Sequence, residues 1–323
     1  MVVKAELHLH LEGSLPPSLV TKIAKRNGLV VPSDIFGENE TFLWADFLHF
    51  LKVYDKASFV LRNAEDYREM TYDYLARTAQ MGSIYTEMMV SPDHAALCGV
   101  SFEEHLAGVV QGIDDARRDH SIEGRIIMTC VRHFGVEKCI NVAKNTVKYL
   151  HPYIVGFGMG GDEAGFPPAQ FAKAYQIAHE AGLGCTVHAG EMVGPEGVWE
   201  AITHLPVTRI GHGVRSIEDP NLLAALRDRD ITLEVCPGSN IALRVYPNFA
   251  SHPLQKLRDA GVKVTLSTDD PPYFDTTLTR EYAIAKEHFG FGENELLEMT
   301  RNSLEASFVD AVTREKLLAK VGI

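Results

Sequence analysis

Eight short β-rich runs recur along this chain with helical stretches between them, and that alternation limits its fold more than any other feature. The runs are "KAELHLHLE", "SIYTEMMVSP", "GRIIMTCVRHF", "YIVGFGMG", "GLGCTVHAGE", "VTRIGHGV", "ITLEVCPG" and "VKVTLSTDD". Repeated strand-then-helix units mean parallel strands joined by right-handed crossovers. Eight of them closing into an α/β (β/α)8 TIM barrel is the simplest arrangement, and an open doubly wound sheet is the alternative. The 323 residues suit one such barrel. No repeat, low-complexity tract or flexible linker divides the chain, so residues 1–323 read as a single barrel domain. The helices carry ordinary start signals. Ser101 and Glu104 have capping-box spacing, and Asp219 precedes Pro220 at a first helical position. Ser251 opens "SHPLQKLRDAG", which ends at Gly261, a left-handed cap.

One connection is too long for a plain crossover. About 65 residues separate the first two strands, against roughly 30 for a βαβ unit. They contain "PPSLVTKIAKRNG" and a second helical run from Thr41 to Gly82. Its aromatic-rich "FLWADFLHFL" either covers the mouth of the barrel or packs on its outside.

Composition removes several function classes. A net charge of −12 with no block of lysine and arginine argues against a nucleic-acid or anionic-membrane surface. Cys98, Cys130, Cys139, Cys185 and Cys236 are odd in number and widely spaced, which fits free, mostly buried thiols in a reducing cytoplasm. The chain enters its first strand at once, so no signal peptide is expected, and no apolar run is long enough to span a bilayer.

The ends of the strands carry the chemistry. In "AELHLHLEG", Leu7, Leu9 and Leu11 alternate with His8, His10 and Glu12. Strand parity sends both imidazoles to one face, roughly 6.6 Å apart along the strand. The fifth strand brings His188 to the same rim, with Glu191 just beyond. The sixth delivers His212 between two glycines, and the eighth ends its polar face on Asp269. Parity turns Asp270 away, so its use in a site requires a bend there. In a parallel barrel these positions share the C-terminal rim where catalytic groups collect. Three histidines and an aspartate suit zinc, with one position left for water. A divalent ion pulls the pKa of its water to about 7. Glu191 then serves as proton carrier and His212, the spare histidine, steadies the attacking oxygen. Together these describe metal-assisted hydrolysis at an electrophilic carbon.

Gly156, Gly158 and Gly161 match the spacing of a dinucleotide fingerprint, but Asp162 and Glu163 follow at once and would repel a pyrophosphate. Close approach of backbone to a flat ligand is the better use of these glycines. His49, His94, His105, His120 and His252 read as surface or packing residues, and His133 is a candidate for the rim.

With these residues in hand, the chain resembles the adenosine and adenine deaminase family of the amidohydrolase superfamily, nearly end to end. "HLHLEG", "GGDE", "TVHAGE", "RIGHGV", "CPGSN" and "STDDP" occur in the family's order. The resemblance implies a (β/α)8 barrel with one zinc ion per chain and His8, His10, His188 and Asp269 as ligands. It also implies that Glu191 protonates purine N1 and that His212 stands beside the attacking hydroxide. Asp270 would accept a hydrogen bond from N7, the N–H of Gly161 would meet N3, and the helical insertion would cover the pocket. Glu12 stands where adenosine deaminases carry an aspartate for the ribose, and glutamate there resembles the adenine branch. "GGDE" and "RIGHG" resemble the nucleoside branch. The expected reaction is deamination of adenosine, or 2'-deoxyadenosine, to inosine and ammonia, with adenine or another 6-aminopurine base as the alternative. Rival classes are a two-metal amide or ester hydrolase, for which "GFGMGGDE" lacks the bridging lysine, and a zinc protein without catalysis.

Overall fold

A computed structural model describes residues 2–37 and 40–322. Its strands are β1 (Lys4–Glu6), β2 (Ser83–Val90), β3 (Glu123–Val131), β4 (Ile154–Gly160), β5 (Gly184–Ala189), β6 (Arg209–His212), β7 (Thr232–Val235) and β8 (Val264–Leu266). They lie side by side in chain order, every neighbouring pair parallel. With helices outside, this is the expected (β/α)8 TIM barrel.

The first strand is shorter than its alternation suggested. After Glu6 the N–H groups of Leu7 and His8 turn to the Ser267 hydroxyl, at 3.3 and 3.2 Å, instead of a neighbouring strand. Pairing resumes at the rim. Leu11 N–H donates to Met89 O (2.8 Å), and Met89 N–H to Leu9 O (2.7 Å). On the other side His10 N–H donates to Asp269 O (3.0 Å), and Asp269 N–H to His8 O (3.1 Å). Residues 8–11 therefore close the barrel between the end of β2 and the segment after β8, while Leu7, Leu9 and Leu11 are fully buried.

The lower part of the barrel is filled by the chain itself. A Cβ on Gly184 would lie 2.3 Å from the Phe308 ring, and one on Gly156 2.7 Å from it. The first glycine of the "GFGMGG" run thus admits an internal aromatic, not a flat ligand. The Arg209 guanidinium stacks on the same ring at 3.6 Å.

Three helices occupy the long first connection: α1 (Pro17–Arg26), α2 (Phe47–Ser58) and α3 (Ala64–Gln80). The run from Thr41 to Gly82 is broken in two because Asn63 caps α3, its side chain accepting from Asp66 N–H, as Asp46 caps α2. Ser101 and Asp219 cap their helices as expected. Ser251 does not: it ends a short 3-10 turn, and the helix starts at Leu254 after Pro253. All five cysteines are free, four of them buried. Among the described residues no helix is long and apolar enough to cross a membrane.

Candidate metal centre and substrate pocket

The strand ends converge. The Nε2 atoms of His10 and His188 are 3.0 Å apart. Asp269 Oδ1 lies 3.3 Å from His10 Nε2 and 3.5 Å from His8 Nε2. A four-coordinate metal with bonds of about 2.0–2.2 Å places neighbouring ligand atoms about 3.3 Å apart, and these three spacings lie close to that value. Gly211 makes the approach feasible, since a Cβ there would stand 2.7 Å from His8 Cε1.

The surroundings fix how these groups face inward. His8 Nδ1 is 2.7 Å from Glu234 Oε2, and His188 Nδ1 is 2.9 Å from Met159 O. Both acceptors require a proton on Nδ1, which leaves the two Nε2 lone pairs turned to the centre. The Nε2 of His8 is fully buried without a hydrogen-bond partner. Burial works against charge on His8, but the Asp269 and Glu234 carboxylates outweigh it and push its pKa up to about 10. Without a cation the ring itself would carry the positive charge, and with one it would give up the Nε2 proton. Burial, then the neighbouring imidazoles, pushes His188 well down. Such a centre calls for a positive charge and offers neutral lone pairs, the chemistry of a divalent-cation site.

Two overlapping groups of ligand atoms meet the spacing of a metal site: His8, His188, His212 and Asp269, and His10, Asp269 and Asp270. His212 belongs to the first by distance, yet its Nδ1 faces the Asn240 side-chain amide nitrogen at 3.2 Å. That contact makes Nδ1 an acceptor and Nε2 a donor, unsuited to bind a cation. His212 Nε2 instead points between Glu191 Oε1 (3.6 Å) and Asp269 Oδ2 (3.8 Å). His8, His188 and Asp269 are therefore the members of the first group with lone pairs free for a cation, and His10 meets them through His188 and Asp269 rather than through His8.

Backbone geometry answers the question of parity at Asp270. Asp269 adopts φ +66°, a left-handed conformation that L residues seldom take. The turn brings both carboxylates into one pocket, lined also by His10, Glu12, Gly161, His188, Glu191 and His212, with His8 beneath its floor. His212 is likewise left-handed, at φ +57°. Asp270 has room only because residue 13 is glycine, whose Cβ would fall 1.6 Å from Asp270 Oδ1. Gly13→Ala is expected to displace Asp270 and lower kcat/KM about 10²-fold, the effect of a misplacement near 1 Å. Metal content should stay unchanged, and an unaltered kcat/KM would remove Asp270 from the site.

The pocket encloses about 640 Å³, counting solvent at its mouth, within the usual range for a small-molecule site. Phe47, Phe50, Leu51 and Tyr54 of α2 form its apolar wall, so "FLWADFLHFL" covers the barrel mouth. The cover is tied to the catalytic rim: Phe42 stacks on Tyr273 at 3.9 Å, and Trp44 Nε1 donates to Tyr273 O at 3.2 Å. Glu12 is buried at the pocket wall, accepting from Ser91 N–H at 3.0 Å. Gly161 and His133 sit side by side at the rim.

Several residues of the site gave no clear sign in the sequence. Glu234 is an inward acid on β7 that holds His8, itself held by Arg209 Nε at 2.6 Å. Ser239 Oγ donates to Asp269 Oδ2 at 2.7 Å. Glu163, set aside above as a repellent acid, accepts the backbone N–H groups of Gly190, Glu191, Met192 and Val193 at 2.5–3.2 Å. It thereby fixes the loop that carries Glu191. His94, read as surface or packing, lines the pocket and bonds Ser91 Oγ (2.7 Å) and Asp55 Oδ1 of α2 (2.8 Å). An acid on an inward strand position was the one legible signal, at Glu234.

A closed α/β barrel with a cation centre and an apolar pocket on its C-terminal rim defines a metal-dependent hydrolase. The chain belongs to the adenosine deaminase family, which it matches over residues 3–322. It is 48% identical to a protein of Agrobacterium fabrum named adenine deaminase, over 99% of this chain and 98% of that protein. It is 43% identical to the adenine deaminase of Rhizobium meliloti, over 99% and 98%. Among solved structures, adenine deaminase from Arthrobacter aurescens superposes with a TM-score of 0.93 at 31% identity, covering 100% of this chain and 98% of that one. A zinc-bound amidohydrolase from Burkholderia ambifaria gives a TM-score of 0.91 at 26% identity, covering 99% and 90%. These relatives overturn the expectation of adenosine as substrate. The "GGDE" and "RIGHG" segments weighed toward the nucleoside, but in this chain Glu163 of the first clamps the loop that carries Glu191 and His212 of the second sits on the rim, whereas Glu12 lines the pocket.

Proposed function

We propose that this chain hydrolyses adenine to hypoxanthine and ammonia, with one zinc ion held by His8, His10, His188 and Asp269. The reading is carried by the pairing, on one rim, of a four-ligand centre with a buried acid that is not among its ligands. Adenine as substrate rests on the relatives named above, and zinc on the donor set together with the zinc-bound neighbour.

The chemistry supplied by such an ion when bound is a water that ionises near neutral pH. The remaining work falls to the chain. Burial, reinforced by the charges of Asp269 and Glu163, pushes the Glu191 carboxyl well above the ordinary range. Glu191 therefore holds a proton and delivers it to purine N1, which draws electron density from C6. His212 aims its Nε2–H at the oxygen that attacks C6. Burial and then Asp269 likewise push Asp270 up. A protonated Asp270 donates to the lone pair of N7, where the family resemblance suggested acceptance. Gly161 offers its N–H to N3. With oxygen added at C6, the Glu191 carboxylate takes the proton of that hydroxyl and passes it to N6. The C6–N6 bond breaks, ammonia leaves and the 6-oxo purine keeps the proton on N1, while the proton given up by the water restores the Glu191 acid.

Glu12 fits a free base. Its side chain is anchored on Ser91 N–H, with Tyr54 Oη 3.5 Å away. It therefore fills wall space that a shorter acid would leave for a sugar. A panel of adenine, adenosine, 2'-deoxyadenosine and an N6-substituted adenine, followed by ultraviolet absorbance, tests this. Adenine should exceed adenosine by about 10³-fold or more in kcat/KM, because a sugar would have to displace that buried, hydrogen-bonded acid. Equal turnover of the two, or none of adenine, sinks the assignment.

A further inference from the structure

A buried chain of hydrogen bonds behind His212 runs in one direction only. It begins at a helix N-terminus, where the first N–H groups lack intrahelical partners. The helix Leu254–Asp259 presents Leu254 N–H to His252 Nδ1 at 3.2 Å. A backbone N–H can only donate, so His252 Nδ1 accepts and the proton of its neutral ring resides on Nε2. That Nε2 is 3.0 Å from Asn240 Oδ1. The acceptor end of the amide is thereby taken, and its nitrogen is left facing His212 Nδ1 at 3.2 Å. His212 Nδ1 must in turn accept, and its only ring proton points from Nε2 into the pocket. Each link removes one choice from the next, and a peptide group anchors the first.

We infer that Asn240 and His252 are positioning residues that lock His212 in the Nε2–H tautomer through a one-way relay set by Leu254 N–H. Neither residue lines the pocket. All three side chains are almost wholly buried, at 4% exposure for His252 and 0% for Asn240 and His212, so no solvent competes for the links. Burial pushes the His252 imidazole down to about 3, which keeps that ring neutral and able to accept at Nδ1. Tyr246 and Phe289 pack against the His252 ring at 5.3 and 5.5 Å and hold its plane. The relay separates His212 from the histidines that fit a metal. Glu234 and Met159 accept from Nδ1 of His8 and His188 and turn lone pairs inward, whereas Asn240 donates to Nδ1 of His212 and turns a proton inward. One small space thus receives both cation-binding nitrogens and a hydrogen-bond donor, sorted by what stands behind each ring.

The inference rests on the donor role proposed for His212, and its test begins with a readout independent of turnover. Two-dimensional ¹⁵N–¹H spectra of the zinc-loaded protein, with histidines labelled, should report His212 with Nε2 protonated and Nδ1 bare. The opposite tautomer in the wild-type protein overturns the relay even if adenine is deaminated. The same spectrum supports the relay even if adenine proves not to be the substrate. Asn240→Asp replaces the donating amide by a second acceptor and should move the proton to Nδ1. Loss of a donor to the attacking oxygen should then lower kcat about 10²–10³-fold. KM and zinc content should change less than about threefold, since ground-state binding is untouched. His252→Gln keeps an N–H donor toward Asn240 and should hold kcat within about threefold, while His252→Leu frees the amide to rotate and should cost about tenfold or more. An Asn240→Asp enzyme with wild-type kcat, or equal rates for the two His252 variants, overturns the assignment. If Asn240→Asp fails to fold, the wild-type spectrum and the His252 pair still decide.

Discussion

Glu191→Gln is expected to lower kcat on adenine by about 10²–10⁴-fold, the range that a positioned general acid contributes. The substitution keeps the size of the side chain and removes its transferable proton. Nothing else should move. Glu191 Oε1 has no hydrogen-bond partner in the buried pocket, so no hydrogen bond at that atom is lost with its proton. Glu163 holds the surrounding loop through backbone N–H groups that the variant retains. Zinc content, measured by plasma emission, should stay at one ion per chain, and the thermal midpoint should stay the same or rise as an unpaired buried acid is removed. An ammonia assay that found the variant as fast as the parent would leave a metal-binding barrel without the proposed chemistry.

The second large effect concerns the centre itself. His188→Ala should reduce bound zinc to a small fraction of one per chain and abolish turnover. The reason is that His188 contributes a bare Nε2 set by Met159 O, 3.0 Å from that of His10. A ligand that binds only the folded state stabilises it by about 4 kcal/mol at a thousandfold excess over its dissociation constant. The variant should therefore melt lower than the zinc-loaded parent and no longer respond to added zinc. His212→Ala is the informative partner experiment. By distance alone His212 belongs to a ligand group, yet its tautomer makes it a donor, so this variant should keep its zinc while losing activity. Zinc lost from His212→Ala and kept in His188→Ala would reverse the two assignments.

Much of this was legible in the residues because barrel geometry turns strand parity into position. Alternation placed His8 and His10 on one face, and the rim rule gathered His188, His212 and Asp269 with them. The long first connection announced an extra helical layer, and the structure decided that it covers the mouth rather than packing outside. Substrate choice was read less well. "GGDE" and "RIGHG" outweighed Glu12, although in this chain they serve the loop and rim while Glu12 stands in the pocket wall. His94 and His252 were passed over because an isolated histidine on a helix or loop carries no periodic signal. Their partners Asp55 and Asn240 are 39 and 12 residues away in the chain.

The sequence by itself determined the eight parallel staves, the rim on which the chemistry sits and the residue types able to hold a cation, since these follow from periodicity and from which atoms carry lone pairs. Only the tertiary structure decided which nitrogen of each ring faces inward and how Asp269 and Asp270 share one pocket. It alone also showed what Glu234, Ser239 and Glu163 hold. Tautomers and carboxylate orientations are fixed by hydrogen-bond partners brought together from distant segments, and a linear pattern cannot encode a partner that only folding supplies.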